Sequence, residues 1–368
     1  MVKKMFFAAF ACVSLASCVS ESDNFPEENK GPRLSFGVPV LSTQTRNYEG
    51  EITGTAYPTT ERFVVYAVEH EGDFAGWEGE NIVVDAAGNG YFPATGEIVA
   101  KGADNHWYTS IPYYLPSVPG NKLSFAAVSP ARVAFNGVTP NPNVTYDKTG
   151  LNIKDWVMPS SDPYDLLFSS RTINQTSAEI AINFKHALSS IRFQFAKPTL
   201  VEGGAYQVIV KKLAIKSDAL KNKGTFRNGI ALGNIEGSPE WILNSEVQPV
   251  TGGEYVLFQG DDYEVKTTLT EIGGVESFLP LPQNITSNVK VAVTYQITQK
   301  EGEAPQAEVT AEIPFTDFVY DTDQHTSEWK MGNRYVYNIS FGAMTKIYFH
   351  PTVTDWVTTG NAGTYVIK

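Results

Sequence analysis

The stretch Ile182-Asn-Phe184-Lys-His186-Ala-Leu188-Ser-Ser-Ile191-Arg-Phe193-Gln-Phe195 alternates apolar and polar residues almost throughout. Successive side chains of a β-strand point to opposite faces of the sheet, so this period of two predicts two strands that each bury one face. Short runs of the same kind recur from about residue 33, separated by Gly, Pro, Asn and Asp. Helical periodicity is nearly absent. The pattern predicts an all-β chain built as β-sandwiches.

Further alternating runs extend this prediction along the chain. They cover residues 34–40, 63–68, 123–127, 206–210, 289–297 and 335–341. Residues 137–150 are rich in turn formers, and we expect an exposed loop there. A polar break over residues 171–177 precedes the strongest strand pair. We therefore place a domain boundary near residue 175, with one β-sandwich domain over residues 47–175 and a second over residues 176–368.

Composition and charge exclude several classes of protein. The 368 residues are 42% hydrophobic and 12% aromatic, which is ample apolar material for a packed core and argues against global disorder. The chain has 28 Lys+Arg against 40 Asp+Glu, a formal net charge of −12, and its basic residues form no cluster longer than a pair. A nucleic-acid partner is not expected, because phosphate binding requires a basic surface.

The N-terminus has the features of a lipoprotein export signal. Two lysines precede an apolar stretch over residues 5–13, which is far shorter than the roughly 20 residues needed to span a bilayer. The sequence Leu-Ala-Ser-Cys that ends at Cys18 resembles a bacterial lipobox. We predict a signal peptide over residues 1–17, acylation of Cys18 with palmitate, and anchoring in the outer membrane at the cell surface. Residues 18–46 are then an acidic tether followed by a candidate first strand.

No constellation for catalysis or metal binding stands out. The chain contains no G-x-S-x-G, P-loop or dinucleotide fingerprint. Its five histidines are scattered without ligand-like spacing, at His70, His106, His186, His325 and His350. His186 lies on the apolar face of a predicted strand, which favours a buried, hydrogen-bonded imidazole over a catalyst. We expect no enzyme activity, no metal and no cofactor.

A group of N-terminal aromatic residues allows two interpretations. They are Trp77, Trp107, Tyr108, Tyr113 and Tyr114. Aromatic faces pack well against the apolar faces of sugars, so these residues could form a platform for a host glycan or for a host protein receptor. The other interpretation is that they fill the core of the N-terminal domain and its rim. The first corresponds to a monomeric surface lipoprotein with a binding function.

Several motifs, taken in order, resemble one family. They are Trp107-Tyr108 with Tyr113-Tyr114-Leu115-Pro116 and Leu123-Ser-Phe125-Ala-Ala-Val-Ser-Pro130, Asp165-Leu-Leu-Phe168 with Phe184-Lys-His186-Ala-Leu188-Ser-Ser-Ile191-Arg-Phe193, Pro280-Leu-Pro282-Gln283 before residues 289–297, and Trp329-Lys-Met-Gly332-Asn-Arg-Tyr335 with Asp355-Trp356. This pattern is similar to that of the fimbrillin-like proteins (Mfa-like, FimA-type) of Bacteroides-type bacteria. The resemblance covers roughly residues 60–356.

The resemblance implies a fold and an assembly mechanism. It implies two transthyretin-like, Greek-key β-sandwich domains in tandem, in a lipoprotein of the fimbrium that contributes to cell adhesion. Its partners would be other fimbrial subunits. In such proteins an arginine-specific protease removes the N-terminal segment, the first strand leaves, and a strand of another subunit fills the groove by donor-strand exchange.

The residues supply a physical version of that mechanism. The candidate exchanged strand carries four apolar side chains at alternate positions, Leu34, Phe36, Val38 and Val40. Arg46 lies in a polar stretch behind it and is the candidate cleavage site. Pro39 has no N–H, which predicts an edge strand. The alternative is a permanent edge strand with an ordinary loop arginine. Twelve residues follow Trp356, a short donor that favours a tip, anchor or accessory role over the shaft.

Overall fold

The fold comes from a computed structural model. It describes residues 32–37, 57–73, 82–83, 91–137, 139–147, 150–159, 163–169, 172–198, 207–229, 239–244, 253–272, 278–298, 304–320, 324–325, 327–342 and 347–355. These residues are almost entirely β-strand, with single 3₁₀ turns at Ala131–Val133 and Phe315–Asp317. The all-β prediction is confirmed. Within these ranges the chain forms no helix long and apolar enough to cross a membrane.

The strands are short and follow one another closely. In chain order they are β1 Ser35–Gly37, β2 Phe63–Glu71, β3 Ile82–Val83, β4 Glu97–Lys101, β5 Trp107–Thr109, β6 Asn121–Ser129, β7 Phe135–Asn136, β8 Thr139–Pro140, β9 Val144–Asp147, β10 Gly150–Val157, β11 Leu167–Ser169, β12 Thr172–Gln175, β13 Glu179–Ala181, β14 Phe184–His186, β15 Ser190–Ala196, β16 Gln207–Lys216, β17 Lys223–Gly229, β18 Pro239–Leu243, β19 Glu254–Glu264, β20 Thr270–Glu271, β21 Gln283–Asn284, β22 Lys290–Thr298, β23 Val309–Pro314, β24 Val319–Tyr320, β25 Gln324–His325, β26 Glu328–Trp329, β27 Asn333–Phe341 and β28 Ile347–Asp355.

Ten of these strands form one large sheet in the N-terminal half. Its order is β13-β1-β5-β4-β2-β6-β11-β14, with β3 paired to β2 and β12 paired to β6. Three four-stranded sheets follow, in the orders β18-β17-β10-β9, β20-β15-β27-β28 and β19-β16-β22-β23. Most pairs are antiparallel. The exceptions in these sheets are β1 with β13 and β15 with β27, which run parallel.

Strand β2 is buried on both faces and shows where the two apolar clusters lie. Phe63 and Val65 belong to one cluster, together with Phe125 of the neighbouring β6. Val64 and Tyr66 point the other way, into a larger cluster that continues into the C-terminal sheets. The sequence predicted both apolar rows of β2, and the structure explains them. A strand whose two faces both meet core is apolar throughout rather than at alternate positions.

The structure corrects one loop prediction. Residues 137–150 are not simply an exposed loop, because Val144–Asp147 form β9 and pair with β10. A turn forms only near Asn141, whose side chain accepts a hydrogen bond from the Asn143 N–H and donates one to the Val133 carbonyl. Val144 is buried immediately afterwards, which starts the strand.

The region near the predicted boundary pairs with the N-terminal half. Strands β13 and β14 lie after residue 175, yet both belong to the ten-stranded sheet. The chain changes sheet between His186, the last residue of β14, and Ser190, the first of β15. The boundary near residue 175 and the tandem transthyretin-like arrangement stay predictions.

Candidate functional site: the slot of the N-terminal strand

Strand β1 lies between two strands that come much later in the chain. On one side it runs parallel to β13, with Phe36 opposite Ile180. On the other side Phe36 lies opposite Trp107 of β5, in antiparallel orientation. We call the space between β13 and β5 that residues 34–37 occupy the slot.

Backbone hydrogen bonds hold β1 on both sides of the slot. The Leu34 N–H donates to the Tyr113 carbonyl at 2.8 Å, beside β5. The Ser35 N–H donates to the Ala178 carbonyl at 2.8 Å, and the Gly37 carbonyl accepts from the Ile182 N–H at 2.9 Å, both on the β13 side. If β1 left, backbone groups on both walls of the slot would lose their partners. Unpaired buried groups of this kind are destabilising.

Two side chains of the segment in the slot enter the apolar cluster. Leu34 and Phe36 are 1% and 0% exposed. The Phe36 ring makes edge-to-face contacts with Phe63 at 6.3 Å and Phe125 at 5.8 Å between centroids. Removing Phe36 would therefore open a hole between two large strands of the sheet, β2 and β6.

Tyr57 and its neighbours complete the floor of the slot. The Tyr57 ring stacks on Phe184 at 5.4 Å and meets Trp107 edge-on at 5.2 Å. Its hydroxyl shares a hydrogen bond of 2.6 Å with the Ser129 hydroxyl, which satisfies the one polar atom of the ring. Burial raises the pKa of Tyr57 well above its usual range. The hydroxyl is therefore a structural group, neutral at physiological pH.

The four candidate sugar-stacking residues that the structure describes do not form one platform. Trp107 is only 5% exposed and is part of the slot floor, so it has no free face for a sugar. The Tyr108 ring is covered by the Arg33 guanidinium, whose carbon lies 4.4 Å from the ring centroid. Trp77 lies outside the described residues. For Trp107 and Tyr108 these contacts agree with the second interpretation, in which the aromatic residues fill the core of the N-terminal domain and its rim.

The two remaining tyrosines of that group lie in the rim of the slot. The Tyr113 hydroxyl donates to Glu97 at 2.8 Å, and its ring packs on Phe92 at 4.4 Å. Burial is the main cause that raises the Tyr113 pKa, and Glu97 adds to it. The Tyr114 carbonyl accepts a hydrogen bond from the Tyr91 hydroxyl, and burial raises the pKa of Tyr91 to about 12. These contacts fix the loop that borders β1.

Several predicted site residues fall outside the described chain. They are Cys18, Val38, Val40 and Arg46. Lipidation, cleavage and the outer half of the candidate strand therefore stay predictions. Leu34 and Phe36 are placed as the alternation predicted, on one face and buried.

The prediction of an edge strand is wrong for residues 35–37. Strand β1 has neighbours on both sides. The reason is that a proline removes only its own N–H, so Pro39 leaves the donors of Leu34 and Ser35 free to bond in both directions. The consequence is a slot with two walls rather than a strip along one edge.

Sequence reasoning missed part of the slot. Ile180 and Tyr57 were not singled out, although both are buried against β1 or its floor. Ile180 continues the alternation of Ile182 and Phe184, so the signal was present in the sequence. Tyr57 has no such pattern, because it precedes β2 in an irregular segment.

Comparison with known proteins identifies the family. The family model described as Fimbrillin-like matches residues 59–356. The chain belongs to the fimbrillin-like family. The matched range contains both walls of the slot, whereas β1 lies before it.

Solved structures share the fold of this fimbrillin-like chain. A fimbrial protein from Bacteroides vulgatus is 16% identical, with a TM-score of 0.56, over 88% of this chain and 99% of that one. A candidate cell adhesion protein from Bacteroides uniformis is 15% identical, with a TM-score of 0.50, over 88% of this chain and 99% of that one. A search of curated proteins gave no match.

The most specific fimbrillin-like motif forms the junction between the sheets. Asp165 is buried just before β11, and its Oδ2 lies 2.7 Å from Nδ1 of His186 at the end of β14. The Ala187 N–H donates to the Leu166 carbonyl, and the Ala187 carbonyl accepts from the Trp241 indole at 2.6 Å. His186 is thus a hydrogen-bonded structural imidazole. Among the described residues, no three His, Cys, Asp or Glu side chains are arranged to hold a metal ion.

Proposed function

We propose that this chain is a lipid-anchored fimbrial subunit, or a tip, anchor or accessory protein of the fimbrium, that assembles by donor-strand exchange at the slot and contributes to adhesion. Membership of the fimbrillin-like family supports the fimbrial role and a location at the cell surface. The single observation that carries the exchange mechanism is the shape of the slot. Three residues of β1 fill a two-walled gap whose walls, β5 and β13, follow them in the chain.

Connectivity makes β1 separable. Its neighbours in the sheet all lie after residue 57. One cut between residues 37 and 57 would leave β1 attached only by non-covalent contacts, and Arg46 lies in that interval. The rest of the sheet would keep its covalent order.

The energy of the slot favours refilling it. Burial of Leu34 and Phe36 contributes about 3–6 kcal/mol before entropy. Loss of β1 would also leave the Tyr113 and Ala178 carbonyls and the Ile182 N–H without partners, and each costs about 1–3 kcal/mol where it stays buried. An emptied slot would therefore bind a replacement strand strongly, by β-strand addition.

The walls also set the direction and pattern of the replacement. It would run parallel to β13 and antiparallel to β5, as β1 does. Its apolar side chains would be two residues apart, at the positions of Leu34 and Phe36, because those positions face the cluster. Other fimbrial subunits are the proposed donors.

The test is controlled cleavage of the purified mature protein. We would treat it with trace arginine-specific protease, read the new N-terminus by mass spectrometry and follow size by light scattering. We expect cutting after Arg46 and growth of oligomers, and excess synthetic peptide with the sequence of residues 33–40 should stop the growth. Arg46→Ala should block both cutting and growth.

Two results would overturn the proposal. One is a chain cut after Arg46 that stays monomeric while the fragment with β1 remains bound through gel filtration. The other is growth that the Arg46→Ala variant does not prevent, which would place assembly elsewhere on the molecule.

A further inference from the structure

Arg33 binds the wall of the slot from outside the apolar cluster. Its backbone forms an isolated β-bridge with Tyr114. Its Nη2 donates to the Thr109 carbonyl at 2.9 Å, and its guanidinium lies over the Tyr108 ring. The side chain is exposed, so these contacts do not result from burial. One directed hydrogen bond and one cation–π contact therefore hold the Arg33 side chain in place.

The surface under Arg33 is itself fixed. The Tyr108 hydroxyl donates to Asp104 Oδ2 at 2.7 Å, and Asp104 Oδ1 accepts from the His106 N–H at 3.1 Å. The hydrogen bond to Asp104 raises the pKa of Tyr108 and lowers the pKa of Asp104. The ring passes so close to Gly102 that a Cβ there would lie 3.0 Å from it. A larger residue at position 102 would therefore require the Tyr108 ring to shift by a few tenths of an ångström.

Arg33 lies at the N-terminal end of the segment that occupies the slot. Arg33 immediately precedes Leu34, whose side chain and N–H enter the slot. Escape of β1 from its N-terminal end must therefore break the contacts to Thr109 and Tyr108 first. The contacts are made with β5, a wall of the slot, and not with β1 itself.

We propose that Arg33 is a clasp that retains the N-terminal strand in the slot by binding Tyr108 and Thr109 of β5, with Tyr108 held in place by Asp104 and Gly102. As a control on strand release during assembly the clasp rests on the proposed function. The retention itself is a property of the intact chain. The clasp keeps β1 bound after a cut at a downstream site and sets how fast the slot becomes free.

Hydrogen–deuterium exchange on the intact full-length chain tests retention without any assembly. The reporters are the amides of Leu34, Ser35 and Ile182, which all lose their acceptors when β1 opens. In Arg33→Ala we expect these amides to exchange about tenfold faster, because one charged hydrogen bond and one cation–π contact are lost. Amides of β27 should be unchanged. Tyr108→Leu should give part of the effect, and the double variant should add little to Arg33→Ala.

Arg132 offers a matched control. Its guanidinium lies 4.4 Å from the Tyr164 ring centroid, the same distance as in the Arg33–Tyr108 pair. Arg132→Ala should leave the three reporter amides at their wild-type rates. Equal exchange rates in Arg33→Ala and the wild type would overturn the clasp, as would an acceleration spread equally over β27.

A second measurement separates the clasp from the assembly mechanism. In the cleavage experiment, Arg33→Ala should assemble about tenfold faster than the wild type and reach the same final size. If no variant assembles while the exchange result holds, the proposed function fails and the clasp stands. If the wild type assembles and the exchange result fails, the clasp alone is overturned.

Discussion

Strands β1 and β27 occupy the same kind of position in their sheets and differ in how firmly they are held. Each has a parallel neighbour on one side and an antiparallel neighbour on the other, β13 and β5 for β1 and β15 and β28 for β27. Each carries a similar segment, Leu-Ser-Phe-Gly at residues 34–37 and Ile-Ser-Phe-Gly at residues 339–342. Local sequence therefore does not distinguish them.

Length and connectivity distinguish the two strands. Strand β27 has nine residues and pairs along its whole length with β28, whereas β1 has three. Strand β27 buries four large side chains, those of Tyr335, Tyr337, Ile339 and Phe341. The neighbours of β27 lie both before and after it in the chain, so no single cut frees it. A central strand can leave a sheet only if few contacts and one covalent link hold it.

The largest effect should follow truncation in β27. Tyr337→Ala removes a ring that is fully buried and packs on Phe315 and Phe318 at 4.7 and 4.8 Å. We expect a loss of about 3–5 kcal/mol in the free energy of unfolding, measured by urea denaturation. Tyr337→Phe is the control. It keeps the ring, removes the acceptor of the Trp329 indole N–H and should cost about 1–3 kcal/mol. A loss below about 2 kcal/mol for Tyr337→Ala would contradict the conclusion that β27 is held more firmly than β1.

Truncation in β1 should act locally instead. Phe36→Ala leaves a hole between Phe63 and Phe125, with an intrinsic cost of about 3–5 kcal/mol. Because β1 is short and only one covalent link joins it to the rest of the sheet, we expect this loss to appear as faster amide exchange at Ile182, with β27 protected as in the wild type. Phe36→Leu should keep most of the protection. Uniform loss of protection across both sheets would show that β1 and β27 belong to one cooperative unit.

The smallest effect concerns pH and the sheet that contains the slot. His70 of β2 is buried, with Nδ1 donating to the Gly72 carbonyl at 3.0 Å and Nε2 accepting from the Ser124 hydroxyl at 2.9 Å. Burial lowers the pKa of His70 below 6.5. From about pH 6.5 downward the unfolded state therefore binds a proton that the folded state does not, and stability falls until the lower, folded pKa is reached.

This pH effect should be confined to the N-terminal sheet. We expect a slope of at most about 1.4 kcal/mol per pH unit from this group. Urea denaturation at several pH values would measure it, and His70→Gln should remove this part of the slope. Amide exchange at pH 7.5 and 5.5 should show β2 and β6 losing protection relative to β27. The same loss in the His70→Gln variant would assign the effect to another group.

Much of the fold could be predicted from the period of two. Strands β2, β6, β15, β22 and β27 lie within a few residues of the predicted runs. Strands β10, β17, β18 and β19 were not anticipated, and in β10 the first four residues are all buried, so the period of two is absent there. The β16–β19 pairing contains register shifts near Val210 and Leu213, and the β10–β17 pairing has one between Ile153 and Trp156. Bulges of this kind interrupt the alternation of apolar and polar residues from which strands are predicted.

The sequence by itself determined the all-β class, the burial of Leu34 and Phe36 on one face, and the family resemblance, since each depends on residue types at fixed local spacing. Only the tertiary structure decided that β1 has two walls, that Trp107 belongs to the floor of the slot and that Arg33 lies on Tyr108. These contacts join residues separated by about 70 to 145 positions in the chain. No local pattern encodes such pairs, because strand order in a sheet is set by how all the apolar faces are buried together.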